Sequence, residues 1–255
     1  MNRYHFIFDK TKKSQRVKNI CLKLYKNYTP IKSSVIVVAG GDGFMLSNLK
    51  KFYKFNKPFY GINCGTFGFL MNKFKIKNFD KKISQAKKTI INPLILESTD
   101  KQNIKKKTMA INEVSLFRQS RQTTCLSLKI GKMHIVKRLI GDGVLIATPA
   151  GSTAYNLSVN GPILNINSGK LAVTPISPFR PRRWKGKVVS SDSLVKIKNL
   201  NYRKRPIAAA ADNIEIRNIK FAKIRSNKNL KITLLFDKNK SLIKKIKSEK
   251  LKKNN

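Results

Sequence analysis

The sequence predicts two domains of different fold class, an α/β N-terminal domain built on a parallel sheet and an all-β C-terminal domain. In the first third of the chain, short apolar β-type runs alternate with stretches of helical periodicity, which is typical of a parallel sheet covered by helices. After Pro93, short β-type runs follow one another at close intervals, with turn residues between them. This second pattern is typical of an antiparallel β-sandwich.

The N-terminal elements alternate between strand and helix. The predicted elements are a strand at 4–8, a helix at 14–28 that opens on Ser14 as its cap, a strand at 35–39, a helix at about 44–55 and a strand at 59–63. Parallel strands end at one edge of the sheet, and that edge is where nucleotides bind in such folds.

The C-terminal elements are short strands. They are predicted at residues 94–97, 108–117, 124–130, 133–139, 144–147, 171–175, 187–189, 194–197, 207–211, 214–217 and 221–225. One more strand is predicted at 231–236, and the lysine-rich tail from Ser241 is either a helix or a frayed end.

The chain is strongly basic, with 55 Lys and Arg against 12 Asp and Glu and a net charge of +43 over 255 residues. Lysines occur in every segment and the chain is also rich in Asn and Ile, which indicates a compositional bias rather than a nucleic-acid surface clustered on one face. The charge still attracts anionic substrates such as nucleotides.

The cysteines and the apolar segments indicate where in the cell the protein is expected. Cys21, Cys64 and Cys125 are widely spaced and form no CxxC pair, which argues against a disulfide framework or a zinc site. No stretch approaches the roughly 18 apolar residues of a membrane span, and the N-terminus does not resemble a signal peptide. We therefore expect a cytoplasmic protein that binds no membrane.

The first candidate site is the GGDG stretch at residues 40–43, directly after a predicted buried strand. Glycines permit positive φ and close approach, so successive N–H groups can cradle phosphate oxygens at the mouth of the next helix. Asp42 would repel those phosphates unless a divalent cation bridges them or the carboxylate accepts a proton during the reaction. Phosphoryl transfer meets both conditions. The alternative is a type I′ turn with Asp42 facing solvent.

A second glycine-rich stretch, GINCGTFGFL at 61–70, again follows a strand. Taken alone it is equally compatible with close packing of a sheet edge. Because neighbouring strands of one sheet end at the same crevice, we expect this stretch to lie beside GGDG.

Two further stretches carry polar residues in apolar surroundings. Asn112 and Glu113 lie within the predicted strand at 108–117 and would point to opposite faces, so that one of them would be buried and need a partner such as a ribose or an adenine edge. The alternative is a strand-end bulge with both groups solvated. The stretch GDGVLIATPAGSTAYNLSVNGP at 141–162 predicts a strand, a turn and a helix from Ser152 to Ser158. Its hydroxyls, amide and aromatic ring suit a planar, phosphate-bearing ligand, and the alternative is a capped structural helix.

GGDG, GTFGFL, NE and GDGVLIATPAGSTAY, in this order and at these separations, resemble the NAD kinase family, whose members phosphorylate the 2′-hydroxyl of the adenosine ribose of NAD with a nucleoside triphosphate. The resemblance runs from about residue 35 to 236 and includes the LAVTPISPF stretch. It implies an α/β N-terminal domain with a Rossmann-like parallel sheet, a β-sandwich C-terminal domain, and a final segment that returns to the first domain. We place these domains at 1–97 with 231–255, and at 98–230.

The resemblance also implies roles for individual residues. Asp42 matches the catalytic aspartate, the proton acceptor, and Asn112 with Glu113 matches the short motif that holds the ribose and base of NAD. Asp142 matches an aspartate that contacts the nicotinamide portion. The residues implied in substrate binding are Gly41, Gly43, Thr66, Phe69, Asn112, Glu113, Asp142, Ala150, Thr153, Ala154, Tyr155, Asn156, Ser158 and Ser177.

The family further implies NAD and ATP as substrates, a divalent metal ion (Mg²⁺ or Mn²⁺) with the ATP, and a homodimer or homotetramer with sites completed across subunits. The chain departs from the family pattern at two places. Ile140 stands where many members have Arg, and Ala211, Asp212 and Asn213 stand in place of Val-Asp-Gly.

Two other functions compete with this one. A lipid kinase of the diacylglycerol or sphingosine kinase type shares the GGDG turn and the two-domain plan, but TPAGSTAY argues against it. A basic nucleic-acid-binding module is suggested by the net charge and by RPRRWKGK at 180–187. That stretch has one aromatic residue and no RNA-motif or finger spacing, which favours a solvated loop.

Overall fold

The computed structural model describes residues 2–66, 68–238 and 242–252. The chain forms two compact units, the first made of residues 1–91 together with 231–255 and the second of residues 92–230. None of the described helices is long and apolar enough to cross a membrane.

The first unit is built on a five-stranded sheet of the order β1-β2-β3-β17-β4. Its strands are β1 (Tyr4–Phe8), β2 (Val35–Gly40), β3 (Phe59–Asn63), β4 (Lys87–Ile91) and β17 (Ile232–Phe236). The first four in this order, β1, β2, β3 and β17, are parallel, and β4 pairs antiparallel to β17. The predicted α/β class with a parallel sheet is confirmed.

The helices of the first unit are α1 (Lys12–Leu24), α2 (Asp42–Phe52), α3 (Phe79–Ser84) and α5 (Leu242–Lys252), with a 3₁₀ turn at Tyr53–Phe55 after α2. The tail is therefore helical from Leu242, and Ser241 lies outside the described residues. Every residue of β2 is buried, as expected of a strand with both faces covered.

The predicted start of α1 at Ser14 is wrong. The cap is Thr11, whose hydroxyl accepts the N–H of Ser14, so that α1 begins at Lys12. Ser14 is buried inside the first turn and donates its hydroxyl to the carbonyl of Ala39 at the end of β2. This bond fixes the helix to the strand that leads into GGDG.

The second unit is a sandwich of two antiparallel six-stranded sheets. The first sandwich sheet contains β12 (Lys187–Ser190), β11 (Lys170–Ile176), β10 (Gly143–Ala147), β7 (Glu113–Arg118), β14 (Ile207–Ala211) and β15 (Ile214–Ile216), in that order. The second sandwich sheet contains β6 (Lys105–Ala110), β5 (Leu94–Asp100), β16 (Ile219–Ser226), β13 (Val195–Asn199), β8 (Thr124–Ile130) and β9 (Met133–Gly141). Aliphatic side chains from both sheets form one core between them. The predicted all-β class is confirmed.

Two predicted boundaries in this unit differ from the structure. The single strand predicted at 108–117 is two strands, β6 and β7, which belong to opposite sheets and are separated at Ile111 and Asn112. The units divide at Asn92 rather than at residue 98, because β5 is one continuous strand that pairs with β6 and β16 along its length.

The helix predicted at 152–158 is also wrong. The structure has a 3₁₀ turn at Gly151–Thr153 and a four-residue helix, α4 (Tyr155–Ser158). Ser152 does not cap a helix, because its hydroxyl donates to the carbonyl of Pro149 and accepts the N–H of Leu164.

Candidate functional site

The two glycine-rich stretches follow neighbouring strands of the first unit. Parallel strands β2 and β3 pair from Ile36 with Phe59 to Gly40 with Asn63, so GGDG and the loop at residues 64–71 leave the same edge of the sheet. The N–H of Cys64 donates to the carbonyl of Gly40 over 2.8 Å, which ties the two stretches together where they begin. The predicted proximity of the two stretches is confirmed.

Asp42 is the first residue of α2 and lies in the favourable field of the helix N-terminus. Its Oδ2 accepts the N–H of Phe69 over 2.7 Å, and its Oδ1 accepts the N–H of Leu70 over 2.9 Å. The side chain is half-buried and does not face bulk solvent as in a type I′ turn. A carboxylate has about four lone-pair sites, so each oxygen can still accept a hydrogen bond or a proton.

The glycines of GGDG leave space where another residue would have a side chain. We expected positive φ here, but Gly41 has φ −98° and is the residue before α2, and positive φ at glycine occurs elsewhere among the described residues. A Cβ at Gly41 or Gly43 would meet no atom within 4 Å, so both face open space through which a ligand can reach the backbone. A Cβ at Gly40 would instead lie 2.6 Å from the ring of Phe44.

The described part of the loop, residues 64–66 and 68–71, contacts Asp42 through the backbone N–H groups of Phe69 and Leu70. Thr66 is exposed, and Phe69 is half-buried and contacts Asp42 through its N–H. Burial raises the pKa of the Cys64 thiol, which keeps it protonated and makes it a poor nucleophile. The chemistry available at this edge is proton acceptance by Asp42 and anion binding by exposed backbone.

A second cluster of predicted residues lies in the second unit, at the break between β6 and β7. Asp212 accepts the N–H groups of Ile111, Asn112 and Glu113 at 2.8, 2.8 and 3.3 Å. Its own N–H donates to the carbonyl of Glu113 over 3.1 Å. These bonds hold Ile111 and Asn112 between the two strands, just before β7 begins at Glu113, and they explain why the predicted strand is interrupted here.

Asn112 has a side-chain atom that points to a ligand. Its Oδ1 is buried and has no hydrogen-bond partner among the described residues, which is costly unless a ligand or water donates to it. Its carbonyl accepts the N–H of Thr148 over 2.9 Å, and a Cβ on Gly151 would lie 2.2 Å from the same carbonyl oxygen. The turn at Thr148–Gly151 can therefore approach Asn112 only because position 151 is glycine.

The residues predicted to bind substrate in the 150–158 stretch differ in their exposure to solvent. Ala150 is buried beside Gly151, and Thr153 and Ala154 are half-buried. Tyr155 and Ser158 are exposed, Tyr155 at 42%.

Asn156 does not fit its predicted role. It is fully buried, with Nδ2 donating to the carbonyls of Ser152 and Pro162 and Oδ1 accepting the hydroxyl of Thr174. The side chain therefore stabilises the turn and joins it to β11.

Asp142 and Ser177 lie away from Asn112. Asp142 precedes β10 and donates its N–H to the carbonyl of Ile176, whereas the far end of β10 pairs with Glu113. Five residues of extended strand separate the two ends by roughly 17 Å. Oδ1 of Asp142 accepts Nε of Arg118 over 2.6 Å, and Ser177 adopts a left-handed φ of 44°.

Sequence reasoning missed the role of Asp212, which appeared only as part of a departure from the family pattern. The available signal was a turn residue between two short apolar strands, a position from which a carboxylate can cap neighbouring N–H groups. Nothing in the local sequence showed that those N–H groups would belong to residues a hundred positions earlier in the chain.

The carboxylates near the strand edge bear on the implied metal. The described residues contain no group of three or more His, Cys, Asp and Glu side chains that could hold an ion. Mg²⁺ is commonly bound through one or two carboxylates with substrate phosphates and water, so a lone Asp42 beside a phosphate-accessible backbone is compatible with an ion that arrives on the nucleotide.

A carboxylate held at a glycine-lined strand edge, in a chain that continues into a β-sandwich, fits a two-domain nucleotide-dependent kinase. A family model described as the ATP-NAD kinase C-terminal domain matches residues 111–235. The NAD kinase of Zymomonas mobilis is 42% identical over 253 residues, which cover 98% of this chain and 98% of that protein. The NAD kinase of Brucella suis is 41% identical over 248 residues, covering 97% and 96%.

Two solved structures are similar in fold. Yeast NADH kinase complexed with NADH superposes with a TM-score of 0.75 at 25% identity, covering 89% of this chain and 69% of its own. An NAD kinase from Archaeoglobus fulgidus in complex with ATP gives a TM-score of 0.73 at 21% identity, covering 95% and 96%. The identity to the Zymomonas protein over almost the whole chain shows that this chain belongs to the NAD kinase family, and the lipid-kinase alternative is not favoured.

Proposed function

We propose that this enzyme transfers the γ-phosphoryl group of ATP, or of another phosphoryl donor, to the 2′-hydroxyl of the adenosine ribose of NAD, giving NADP. The observation that carries the proposal is the Asp42 carboxylate, which two N–H groups fix at the strand edge while lone pairs remain for a hydroxyl proton. The names of the bacterial relatives support NAD as acceptor, and the ATP in the Archaeoglobus structure supports ATP as donor.

In the proposed reaction the 2′-hydroxyl donates its proton to Asp42 while the oxygen of that hydroxyl attacks the γ-phosphorus. A new oxygen–phosphorus bond forms, the bond from the γ-phosphorus to the bridging oxygen breaks, and ADP leaves. Backbone exposed at Gly41 and Gly43 accommodates the phosphates. A divalent ion, Mg²⁺ or Mn²⁺, would be held mainly by the phosphates and would offset their charge.

In the second unit, Oδ1 of Asn112 and the Glu113 carboxylate are proposed to bind ribose hydroxyls and the adenine edge. Asn112 Oδ1 needs a donor, which an amino group or a hydroxyl supplies. Thr153 and Tyr155 line the neighbouring turn and offer a hydroxyl and an exposed ring. Asn156 is not part of this proposal, because its side-chain amide is already bonded to Ser152, Pro162 and Thr174.

Asp142 and Ser177 support a proposal about assembly. They lie roughly 17 Å along β10 from the Asn112 end of the same chain. We propose that they contact the dinucleotide bound by a second copy in a homodimer or homotetramer.

A cytoplasmic location remains our expectation, and the three cysteines are free and buried.

The proposal is tested by an Asp42→Asn variant assayed with NAD, ATP and Mg²⁺. We expect kcat to fall by roughly 10² to 10⁴, because the amide cannot accept the hydroxyl proton. The matched control is Asp80→Asn, which removes a carboxylate of the same unit that accepts hydrogen bonds from Tyr4 and Tyr25. Full activity of Asp42→Asn, or phosphorylation of a dispersed diacylglycerol in preference to NAD, would contradict the proposal.

A further inference from the structure

The C-terminal helix α5 places one lysine against the loop that holds Asp42. Nζ of Lys245 donates to the carbonyl oxygens of Gly68, Phe69 and Met71 at 2.8, 2.8 and 2.6 Å. An ammonium group has three N–H donors, and three carbonyls converge on it here. Lys245 is half-buried, and its Nζ lies 5.3 Å from the ring centroid of Phe236 in β17.

The peptide groups that accept from Lys245 also donate to Asp42. The carbonyl of Gly68 and the N–H of Phe69 belong to one peptide group, which bonds Lys245 at its oxygen and Asp42 at its nitrogen. The next peptide group, from the carbonyl of Phe69 to the N–H of Leu70, does the same. Two peptide dipoles therefore connect the ammonium of Lys245 to the two oxygens of the Asp42 carboxylate.

This arrangement has a direct electrostatic consequence. A cation at the carbonyl oxygen polarises the peptide group, and in a chain of hydrogen bonds each member strengthens the next. The N–H groups of Phe69 and Leu70 thus become stronger donors to Asp42 and their direction is fixed. Without Lys245, three carbonyls of an irregular loop would lose a charged partner.

We propose that Lys245 is a positioning residue for Asp42, holding the two peptide groups that aim the carboxylate at the acceptor hydroxyl. The inference rests on the proposed role of Asp42 as proton acceptor. Because small misplacements of a reacting group cost up to about 10²-fold in rate, Lys245→Met is expected to lower kcat about 10- to 100-fold. KM for NAD should change by less than about threefold, because the hydrogen bonds from the Lys245 ammonium go to backbone carbonyls of the loop that holds Asp42.

The test compares three variants of the full-length enzyme. Lys245→Met removes the ammonium, and Lys245→Arg keeps a charged donor but spreads its N–H groups in a plane, so it is expected to recover part of the lost kcat. Lys244→Met is the matched control, since it removes an exposed lysine at the adjacent position of α5. If Lys245→Met does not fold, Lys245→Arg alone is expected to show the lower kcat at unchanged KM.

A second readout does not depend on catalysis. Hydrogen–deuterium exchange of peptides covering residues 64–72 is expected to be faster in Lys245→Met than in the wild-type enzyme or Lys244→Met. Unchanged exchange, or a kcat that stays at the wild-type value, would overturn the inference. An active Asp42→Asn variant would overturn the proposed function instead, while the exchange experiment would still report whether Lys245 holds the loop.

Discussion

Two aspartates of this chain bind backbone N–H groups in the same way but with different consequences. Asp42 and Asp212 both accept backbone N–H groups from distant residues, Asp42 from two and Asp212 from three. At Asp42 the N–H groups fix the carboxylate that we propose as proton acceptor. At Asp212 the carboxylate fixes the N–H groups, and with them the two residues that we propose bind the ligand, Asn112 and Glu113. A carboxylate at a motif therefore identifies a reacting group only when its surroundings leave it able to accept a proton.

An Asp212→Asn variant tests this assignment at the level of one residue. The amide can accept fewer N–H groups and carries donors of its own, so the Ile111–Glu113 segment loses charged hydrogen bonds worth about 2 kcal/mol. We expect KM for NAD to rise roughly tenfold or more, which corresponds to about 1.4 kcal/mol, with a smaller change in kcat. Steady-state kinetics with varied NAD measure both.

The control for this prediction is Asp192→Asn, which changes an exposed aspartate of the same unit that pairs with Lys228. That variant should keep both kinetic constants. A normal KM in Asp212→Asn would show that Asn112 is held by the strand ends alone.

At the scale of elements, the second sandwich sheet carries a row of charged residues in which three lysines stand next to one another on neighbouring strands. Neighbouring strands pair Glu97 with Lys223, Lys223 with Lys196, Lys196 with Lys129, and Lys129 with His134. Loss of hydration, then Lys129 and Lys137, lower the pKa of His134. Directly opposed like charges destabilise a sheet, so the lysine-rich composition lowers the stability of this sheet.

Lys196→Glu is expected to stabilise the second unit, because it turns two repulsive cross-strand pairs into attractive ones. At about 0.2–1 kcal/mol for each pair, the free energy of unfolding should rise by roughly 0.5–1.5 kcal/mol at low salt. The gain should shrink in 1 M NaCl, where the Debye length is about 3 Å. Urea unfolding followed by Trp184, the single tryptophan of the chain, reports on this unit because Trp184 packs against its core.

Lys198→Glu is the matched control, since its cross-strand partners are the uncharged Phe221 and Ser127. It should have little effect on the urea midpoint. Equal stabilisation by both substitutions would mean that net charge, rather than the paired row, controls the stability.

At the scale of the whole molecule, the first unit depends on the end of the chain. Strand β17 lies between β3 and β4, so a strand from the C-terminal segment is interior to the N-terminal sheet. The hydroxyl of Tyr60 in β3 donates to Asp237 over 2.6 Å, directly after β17. Asn72 Nδ2 donates to the carbonyls of Gly61 and Leu235, joining the same two strands beside the loop that holds Asp42.

This junction predicts a pH dependence of stability. Burial first, and then the bond to Asp237, raise the pKa of Tyr60 above its usual value near 10. Above pH 10 the unfolded chain releases the tyrosine proton while the folded chain retains it, so the free energy of unfolding falls as pH rises. Below pH 10 the contribution is fully present.

Tyr60→Phe should remove the part of the decrease in the free energy of unfolding above pH 10 that comes from Tyr60. At pH 8, where the hydrogen bond is intact, the substitution should lower the free energy of unfolding by about 1 kcal/mol. Urea unfolding at pH 8, 10 and 11, followed by far-ultraviolet circular dichroism, measures both effects. Tyr202→Phe in the second unit is the control. The same slope above pH 10 in wild type and Tyr60→Phe would contradict the assignment.

Much of the fold could be predicted because its signals are local. The apolar run at 35–39, the glycines after it and the β-type runs after Pro93 depend on periodicity and turn chemistry within a few residues. The helix at 152–158 was predicted wrongly because the hydroxyl of Ser152 bonds Leu164 instead of capping a helix. The break at Asn112 could not be predicted, since Asp212, which causes it, is a hundred positions away.

The sequence by itself determined the class of the two domains and the motifs, and through the family resemblance it suggested Asp42 as the proton acceptor, because motifs consist of residue types at short spacing. Tertiary structure alone decided that Lys245 meets the Gly68 carbonyl across 177 positions, that Asp212 caps Asn112, and that the Asn156 amide accepts the hydroxyl of Thr174 in β11. The physical reason is that a hydrogen bond depends on the position and direction of both partners in space. For residues far apart in the chain, only the packed fold fixes those positions.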